Sequence, residues 1–492
     1  MTPGLPESAR IHHIIASQHN PEIAYAACQD FFGGDLKPYL YKTTDGGISW
    51  LNINANLPER GVTFTIGEDH LDPNLLFCGT MFGVYVSNTE VPEWIKLSNG
   101  IPNAVTVMDL DIHKGENDLV VSTFGRGVYI LDDYSSLRNL NHSLLDQEAL
   151  LFPVADGEMF IAADPFGFPG VGFQGASYFT RPNPEIGAVF TYYIKEKPKS
   201  LKDLRIEKEK ELQKAGKKVP YPVYDALKKE QDETDPFLLF TITDVQGKLI
   251  RNIKKSYAKG LQRIVWNFRH EAVTPVSLTV FDNSVPWNTE DKGYMVVPGK
   301  YIVTLSKVVD GTIMELCPAQ TFECKPLNIT SLPPEDLASL KAFNEKVADM
   351  AKAVYAADNH RQKLNDLMPY IEKAILTIQD QDNAILKSYY SIKTDLKEIG
   401  MLLNGDPLIS RYEGSSRTSL KSKVDIITGE LWSTTSGQTK TFERSYNEVA
   451  AGFDAILNKL RAVSKQVQSL EAKLETAGAS ATPGRVPGWR NE

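Results

Sequence analysis

The chain has 492 residues, with 53 lysines and arginines against 62 aspartates and glutamates, which gives a formal net charge of −9. This acidic balance excludes electrostatic binding of nucleic acid or of an anionic membrane unless one face is locally basic, and no run reaches the roughly 18–20 apolar residues that span a bilayer. Four cysteines are too few for a disulfide scaffold, although a bond between Cys28 and Cys78 or between Cys317 and Cys324 stays open on spacing alone.

The length predicts about three domains, at roughly 100–200 residues each, and the first of them contains an internal repeat. Aromatic residues recur at intervals of 44 residues: Tyr41, Tyr85 and Tyr129, and likewise Trp50 and Trp94. The second unit contains four short apolar or alternating runs between Gly, Pro, Asn and Asp residues, a pattern that predicts strands. Four strands in about 40–50 residues are typical of a β-propeller blade. Residues 1–135 are therefore predicted to form the last two to three blades of a propeller.

One turn in the first repeat has a specific chemical pattern. Thr43, Asp45, Gly47, Ser49 and Trp50 match the Asp-box (BNR) pattern Ser/Thr-x-Asp-x-Gly-x-Ser/Thr-Trp. Asp45 can accept hydrogen bonds from its own hairpin, Gly47 can adopt a positive φ, and Trp50 can pack between neighbouring sheets. The alternative is that Asp45 is a catalytic carboxylate or a metal ligand. We favour the structural role, because an aspartate in a blade turn is used by the turn itself.

The start of the chain also fits the repeat. Leu5-Pro6 aligns with Leu57-Pro58 if the first unit carries eight extra residues. Repeat units bury their faces against neighbours, and two or three blades do not close a ring. We expect the missing blades to lie upstream in a longer polypeptide or to come from a partner chain.

A second β region is predicted at 136–330, as a linker and an immunoglobulin- or fibronectin-like sandwich. Runs such as LLFTITDVQGKLIRNI and GKYIVTLSKVVDGTIMEL alternate between turn residues, which favours antiparallel strands. A segment of mixed charge at about 199–234 has helical spacing and predicts a solvated helical insertion. The G-x-G-x-x-G pattern at 170–175 does not lie between a strand and a helix, so it does not indicate a dinucleotide site.

Two features of the β regions are candidates for ligand or partner contacts. Phe166, Phe168 and Phe173 lie in a glycine-rich segment. They could stack on a sugar or anchor a partner. The alternative, which we favour, is that this segment packs across the propeller and seals the domain junction. Arg126 lies in an FGRG turn. Its guanidinium either binds a carboxylate of a ligand or pairs with the following aspartates at 132–133, and we favour the pairing.

Recognisable catalytic chemistry is absent from the sequence. The eight histidines are scattered, and no spacing typical of a zinc site, a P-loop, a G-x-S-x-G turn or a Cys/His catalytic pair is present. We therefore predict no metal and no cofactor, and no catalytic residue is assigned.

The last region, 331–478, is predicted to be an antiparallel four-helix bundle, followed by a tail at 479–492. Pro333-Pro334-Glu335-Asp336 provides a helix start, and apolar residues then recur every three or four positions in four segments. The second segment is interpreted as one stripe from Ile371 to Leu403. The last is heptad-like, with Val449, Phe453, Ile456, Leu460, Val463, Val467, Leu470 and Leu474.

The ordered set of segments resembles one group of bacterial proteins. The runs PYLYKTTDGGISW, LLFCGTMFGVYVS, LVVSTFGRGVYILDD, GLQRIVWNFRH and LETAGASATPGRVPGW occur in the order propeller end, immunoglobulin-like module, helical bundle. This order is similar to that of the large exported proteins with a sortilin-type or sialidase-like Asp-box propeller, which are often labelled glycosyl hydrolases. The resemblance covers almost the whole chain. It implies an export signal, more blades upstream, and a periplasmic, cell-surface or extracellular location.

The resemblance leaves two functions open. We expect a non-catalytic scaffold or binding protein whose propeller binds a protein, a peptide or a glycan. Propeller glycosidases need two carboxylates roughly 5–10 Å apart, and no such pair can be assigned in the blades present. The alternative is a sialidase-like glycoside hydrolase whose active site lies mainly on upstream blades. The expected fold class is thus multidomain β plus α, with a partial β-propeller, a β-sandwich and a C-terminal helical bundle.

Overall fold

The computed structural model describes most of the chain. The described residues are 3–6, 8–89, 93–98, 100–139, 146–162, 183–279, 282, 292–330, 332–379, 383–412 and 418–486. Within them the protein is a mixed β and α structure, with several β-sheets up to Pro326 and the long helices after it. The predicted combination of β regions followed by C-terminal helices is confirmed.

Three antiparallel sheets follow one another at the start of the chain. Sheet I contains β1 (Arg10–Ala16), β2 (Ala24–Asp30), β3 (Asp35–Thr43) and β4 (Leu51–Asn52); sheet II contains β5 (Thr63–Glu68), β6 (Leu75–Thr80), β7 (Gly83–Asn88) and β8 (Ile95–Leu97); sheet III contains β9 (Val107–His113), β10 (Asp118–Thr123) and β11 (Val128–Leu131). In each sheet the strands pair in chain order. After β11 the chain forms a 3-10 helix at Tyr134–Asn139.

The three sheets pack face to face. Between sheets I and II the buried apolar residues are Tyr25, Ala27, Leu40, Ile53, Leu57, Ile66, Leu76, Cys78, Tyr85 and Trp94. Between sheet II and the sheet III region they are Leu75, Phe77, Val84, Val86, Val107, Leu110, Leu119, Val121, Tyr134 and Leu137. Residues of β6 alternate between the two clusters, because successive side chains of a strand point to opposite faces. Sheet II is therefore buried on both faces.

A second group of strands forms two further sheets. One has the order β12 (Ala149–Leu151), β14 (Ala188–Ile194), β17 (Gly260–Trp266); the other has the order β13 (Gly157–Met159), β20 (Gln320–Pro326), β18 (Gly299–Val309), β15 (Phe237–Asp244), β16 (Leu249–Ser256), with β19 (Thr312–Glu315) paired to β18. The β13–β20 pair is parallel. Phe190 of the first sheet stacks with Phe240 of the second, so aromatic rings fill the space between them. The charged segment forms two helices, α1 (Leu201–Lys214) and α2 (Tyr224–Asp232).

Helices build the C-terminal region. They are α3 (Leu337–Ile375), α4 (Ala384–Asn404), α5 (Pro407–Tyr412), α6 (Leu420–Ile426), which continues into a π-helical turn (Ile427–Leu431), and α7 (Lys440–Thr476). The heptad-like residues of the last segment are all buried on α7. No helix in the described part of the chain is long and apolar enough to cross a membrane.

The second apolar stripe does not form one helix, and that part of the prediction was wrong. Ile371 and Ile375 lie at the end of α3, and the next helix begins at Ala384. Helix α3 continues through Pro369 because residues on both sides of it, Met368 and Ile371, are buried in the same apolar core. Packing of these side chains outweighs the hydrogen bond that a proline removes from a helix.

Candidate functional site

The turn that carries the sequence pattern of an Asp-box joins β3 to β4, and the carboxylate of Asp45 forms hydrogen bonds within this turn. Asp45 accepts hydrogen bonds from the Thr43 hydroxyl at 2.7 Å, from the Ser49 backbone N–H at 2.9 Å and from the Ser49 hydroxyl at 2.5 Å. Gly46 and Gly47 have φ values of 68° and 91°, in the left-handed region that favours glycine. The hydrogen bonds from Ser49 and Thr43 lower the pKa of Asp45 to about 2. At neutral pH this carboxylate is ionised and cannot donate a proton.

The two tryptophans that follow the repeat turns differ in burial, because a neighbouring sheet covers one of them. The Trp94 indole N–H donates to the Ile53 carbonyl at 3.0 Å, and the residue is 4% exposed between sheets I and II. Trp50, at the equivalent place in sheet I, is only half-buried. It packs with Leu5 on the outer face of sheet I, and its backbone N–H donates to the Pro3 carbonyl at 3.0 Å. The segment with Pro3 and Leu5 thus covers part of Trp50, whereas a whole sheet covers Trp94.

The strand register identifies a second pair of equivalent positions in sheets I and II. In sheet I, Ile14 pairs with Ala26, which in turn pairs with Tyr41. In sheet II, Ile66 pairs with Cys78, which in turn pairs with Tyr85. Ile66 is fully buried against sheet I, whereas Ile14 is 54% exposed. Ile11 is also exposed. We call the outer side of sheet I, with Ile11 and Ile14, the first face.

The far side of sheet III shows the same contrast. Val84 and Val86 flank the repeated tyrosine of β7 and are buried against the sheet III region. Val128 and Ile130 flank the repeated tyrosine of β11 in the same way, but they are 61% and 60% exposed. Phe124, in the turn before β11, is exposed as well. We call this side, with Phe124, Val128 and Ile130, the last face.

The valines of β7 and β11 provide a matched test of the last face. We expect Val84→Thr to lower the free energy of unfolding by about 1–3 kcal/mol, because a buried hydroxyl loses its hydration. Val128→Thr should change it by less than about 0.5 kcal/mol, because the side chain is already in water. Urea unfolding of both variants measures the difference. Equal losses of unfolding free energy in the two variants would contradict the exposure of the last face to water.

Arg126 lies at the rim of the last face, in the turn between β10 and β11. Both flanking glycines have positive φ, 75° and 74°, and the Arg126 side chain is exposed. In the described part of the chain it makes no ion pair with Asp132 or Asp133, so the favoured pairing is not found. The backbone carbonyls of these aspartates instead accept hydrogen bonds from Arg263 of β17. Phe166, Phe168 and Phe173 lie outside the described residues.

A buried ion pair links sheet II to the 3-10 helix after sheet III. The fully buried Asp69 carboxylate accepts two hydrogen bonds from the Arg138 guanidinium, both at 2.8 Å, and one from the Tyr134 hydroxyl at 2.5 Å. Burial alone raises the pKa of Asp69, but the hydrogen bonds from Arg138 and Tyr134 outweigh it and hold the pKa well below its ordinary value. The sequence does not reveal this pair, because its members are 69 positions apart and no local pattern marks them.

The described residues offer little catalytic chemistry. All four cysteines are free, so neither of the disulfides considered above is formed. Within the described ranges, no three His, Cys, Asp or Glu side chains come together as a metal site would require. Partial desolvation and the charge of Asp118, opposed by the charge of Arg263, raise the pKa of the exposed Asp132, which is the direction that a general acid needs. Asp132 is therefore the residue at which acid catalysis can be tested.

Known proteins match this chain weakly. No protein-family model and no curated protein match it. A GH74 enzyme from Niastella koreensis is 15% identical over 24% of this chain and 19% of its own, with a TM-score of 0.20. The extracellular domain of a B. thetaiotaomicron protein, assigned provisionally as a one-component system, is 9% identical over 65% of this chain and 31% of its own, with a TM-score of 0.20. An ancestral GH74 enzyme is 10% identical over 66% and 39%, with a TM-score of 0.18.

The chain therefore spans less than half of the length of each of these structures. TM-scores of this size do not establish a shared fold.

Proposed function

We propose that sheets I, II and III are consecutive blades of a β-propeller, and that further blades complete it from the same longer polypeptide or from a partner chain. The observation that carries this proposal is the contrast between equivalent positions. Ile14 and Val128 are exposed, whereas Ile66 and Val84 are fully buried by the next sheet. A blade of the same kind on each face would bury Ile14 and Val128 and stabilise the assembly through the apolar area removed from water.

The complete protein, in this proposal, is an exported, non-catalytic scaffold that binds a protein, a peptide or a glycan. Its domains are the blades at 1–135, an immunoglobulin-like sandwich at 136–330 and a helical bundle at 331–478. Arg263 supports a fixed junction between the first two, since its guanidinium donates to the Asp132 carbonyl at 2.6 Å. A non-catalytic role is supported by Asp45, whose carboxylate is used by its own turn.

Hydroxyl-radical footprinting tests whether blades cover the two faces. We expect oxidation of Ile14, Phe124 and Ile130 to fall at least fivefold in the assembly purified from the native source, compared with this chain alone, because covering blades exclude water. Ile313 on β19, which is 62% exposed, is the matched control and should react equally in both. Equal oxidation of the faces in both samples would refute the proposal.

The alternative is a sialidase-like glycoside hydrolase with its active site mainly on upstream blades, to which Asp132, a blade carboxylate with a raised pKa beside Asp118, could contribute a general acid. A glycan array and a hydrolase assay on the native assembly separate the two functions. The scaffold function predicts binding without turnover. Turnover that is abolished in Asp132→Asn and retained in Asp45→Asn would instead establish the hydrolase.

A further inference from the structure

A cavity of about 210 Å³ lies between the second β region and the helices. Met159 and Met295 line it from the β side, Leu340 and Asn344 from α3, and Trp432 from the end of the π-helical turn. Among the described residues that line it, none is charged. A charged ligand would lose its hydration there without meeting an opposite charge, so the cavity suits an uncharged molecule.

The size of the cavity sets the size of its occupant. An engineered apolar cavity of about 150 Å³ in another protein binds benzene, so this one has room for a molecule of about six to ten non-hydrogen atoms. Atoms around an empty apolar space lose packing contacts. A ligand that fills the space restores those contacts and stabilises the folded protein.

Asn344 gives the cavity a specific polar contact. The residue is 6% exposed, and its Oδ1 accepts a hydrogen bond from the Trp432 indole N–H at 3.2 Å. An indole nitrogen can only donate, so this contact fixes which end of the Asn344 amide is oxygen and which is nitrogen. In the described part of the chain, the Asn344 Nδ2 has no hydrogen-bond partner. The side chain is more than nine-tenths buried and lines the cavity, so the two N–H groups of Nδ2 are open to an acceptor that enters the cavity.

Three hydroxyl groups at the cavity bond to one another. The hydroxyls of Thr330 and Ser436 lie 2.9 Å apart, and the Thr434 hydroxyl donates to that of Ser436 at 3.0 Å. The π-helical turn before Trp432 is a second sign of a site, since such turns occur rarely and often at functional positions. Of the lining side chains in the described part of the chain that have unused donors, Asn344 is the buried one, and an acceptor in the cavity can pair with it.

We propose that this cavity binds a small uncharged ligand with an apolar body and one carbonyl or hydroxyl oxygen, which accepts a hydrogen bond from Asn344 Nδ2. The apolar body packs against Met159, Met295 and Leu340. This site is independent of the blades and of the function proposed for them.

Methyl NMR on the full chain, labelled with ¹³C-methyl methionine, tests binding directly. Cyclohexanone is the probe with an acceptor, and methylenecyclohexane is its hydrocarbon isostere. We expect both probes to shift the Met159 and Met295 methyl signals saturably, because these side chains line the cavity. Met401 on α4, outside the cavity, is the internal control and should not move. Unchanged Met159 and Met295 signals at saturating probe would overturn the proposal.

Asn344→Leu tests the polar contact. We expect the ratio of the two dissociation constants to change by about tenfold in favour of the hydrocarbon, because the leucine cannot donate. Asn365→Leu, an exposed asparagine on the same helix, is the matched control and should leave the ratio unchanged. If Asn344→Leu fails to fold, Asn344→Ala gives the same comparison without added bulk. An unchanged ratio in the Asn344 variant would show that water alone satisfies the amide and would refute the contact.

Discussion

Replacing Asp69 by alanine should lower the free energy of unfolding by about 3–5 kcal/mol, because it leaves the buried guanidinium of Arg138 without its carboxylate. Only 16% of the Arg138 side chain is exposed, so water cannot replace the lost partner fully. The Tyr134 hydroxyl also loses its acceptor. The link between sheet II and the 3-10 helix after sheet III would then depend on apolar packing and on the hydrogen bonds from Asn88 Nδ2 to the carbonyls of Leu137 and Arg138.

Urea unfolding, followed by circular dichroism, measures this loss, and two variants control it. Asp69→Ala combined with Arg138→Met removes both charges, and we expect it to recover part of the stability, because an apolar pair can replace a buried ion pair. Asp45→Ala removes a carboxylate that serves only its own exposed turn, and it should cost less. If Asp69→Ala cost no more than Asp45→Ala, the buried pair would not be the link we describe.

Local patterns predicted those parts of the structure that local forces determine. The last helix was predicted from its heptad-like residues, which are all buried on α7. The Asp-box predicted a tight turn, and Gly47 has the positive φ that this turn needs. In both cases the residues that make the contacts lie within a few positions of one another. Short-range hydrogen bonds and side-chain periodicity are therefore sufficient to predict them.

The rest depended on residues far apart in the chain. Ile14 and Ile66 are the same residue type at equivalent strand positions, yet one is exposed and the other buried. The difference arises because sheet I covers Ile66, and the residue type at these two positions does not reveal which of them a sheet covers. Asn344 likewise looks like an ordinary helical residue in the sequence. Its significance comes from Trp432, 88 residues later, which fixes the orientation of its amide.

The junction between the second β region and the helices contains a partly buried histidine. The His270 ring stacks on Tyr294 with 4.0 Å between ring centres, and Tyr294 lies against Trp432 at 5.6 Å. Arg269, the preceding residue, donates from Nη1 to the carbonyls of Gly293 and Trp432, both at 3.0 Å. A charge on His270 would therefore be placed inside the contact that joins the two regions.

His270 should make the protein less stable in acid. Burial, aided by the charges of Lys248, Lys341 and Lys352 and opposed by Glu345, lowers the pKa of His270 to about 4. In the unfolded chain a histidine has a pKa of about 6.5, so between these values the unfolded state binds a proton that the folded state does not. The stabilisation is fully present above about pH 6.5 and is lost as the pH falls towards 4. The loss amounts to up to about 3 kcal/mol.

His270→Phe isolates this effect, because phenylalanine can stack on Tyr294 but does not titrate. We expect the variant to lose up to about 3 kcal/mol less than the wild type between pH 6.5 and pH 4, measured by urea unfolding at several pH values. His360→Phe makes the same substitution at an exposed position on α3 and is the matched control. Since acid also protonates carboxylates, the difference between the two variants is the informative quantity. If the His270→Phe and His360→Phe variants lost the same unfolding free energy between pH 6.5 and pH 4, His270 would not govern the stability of the junction.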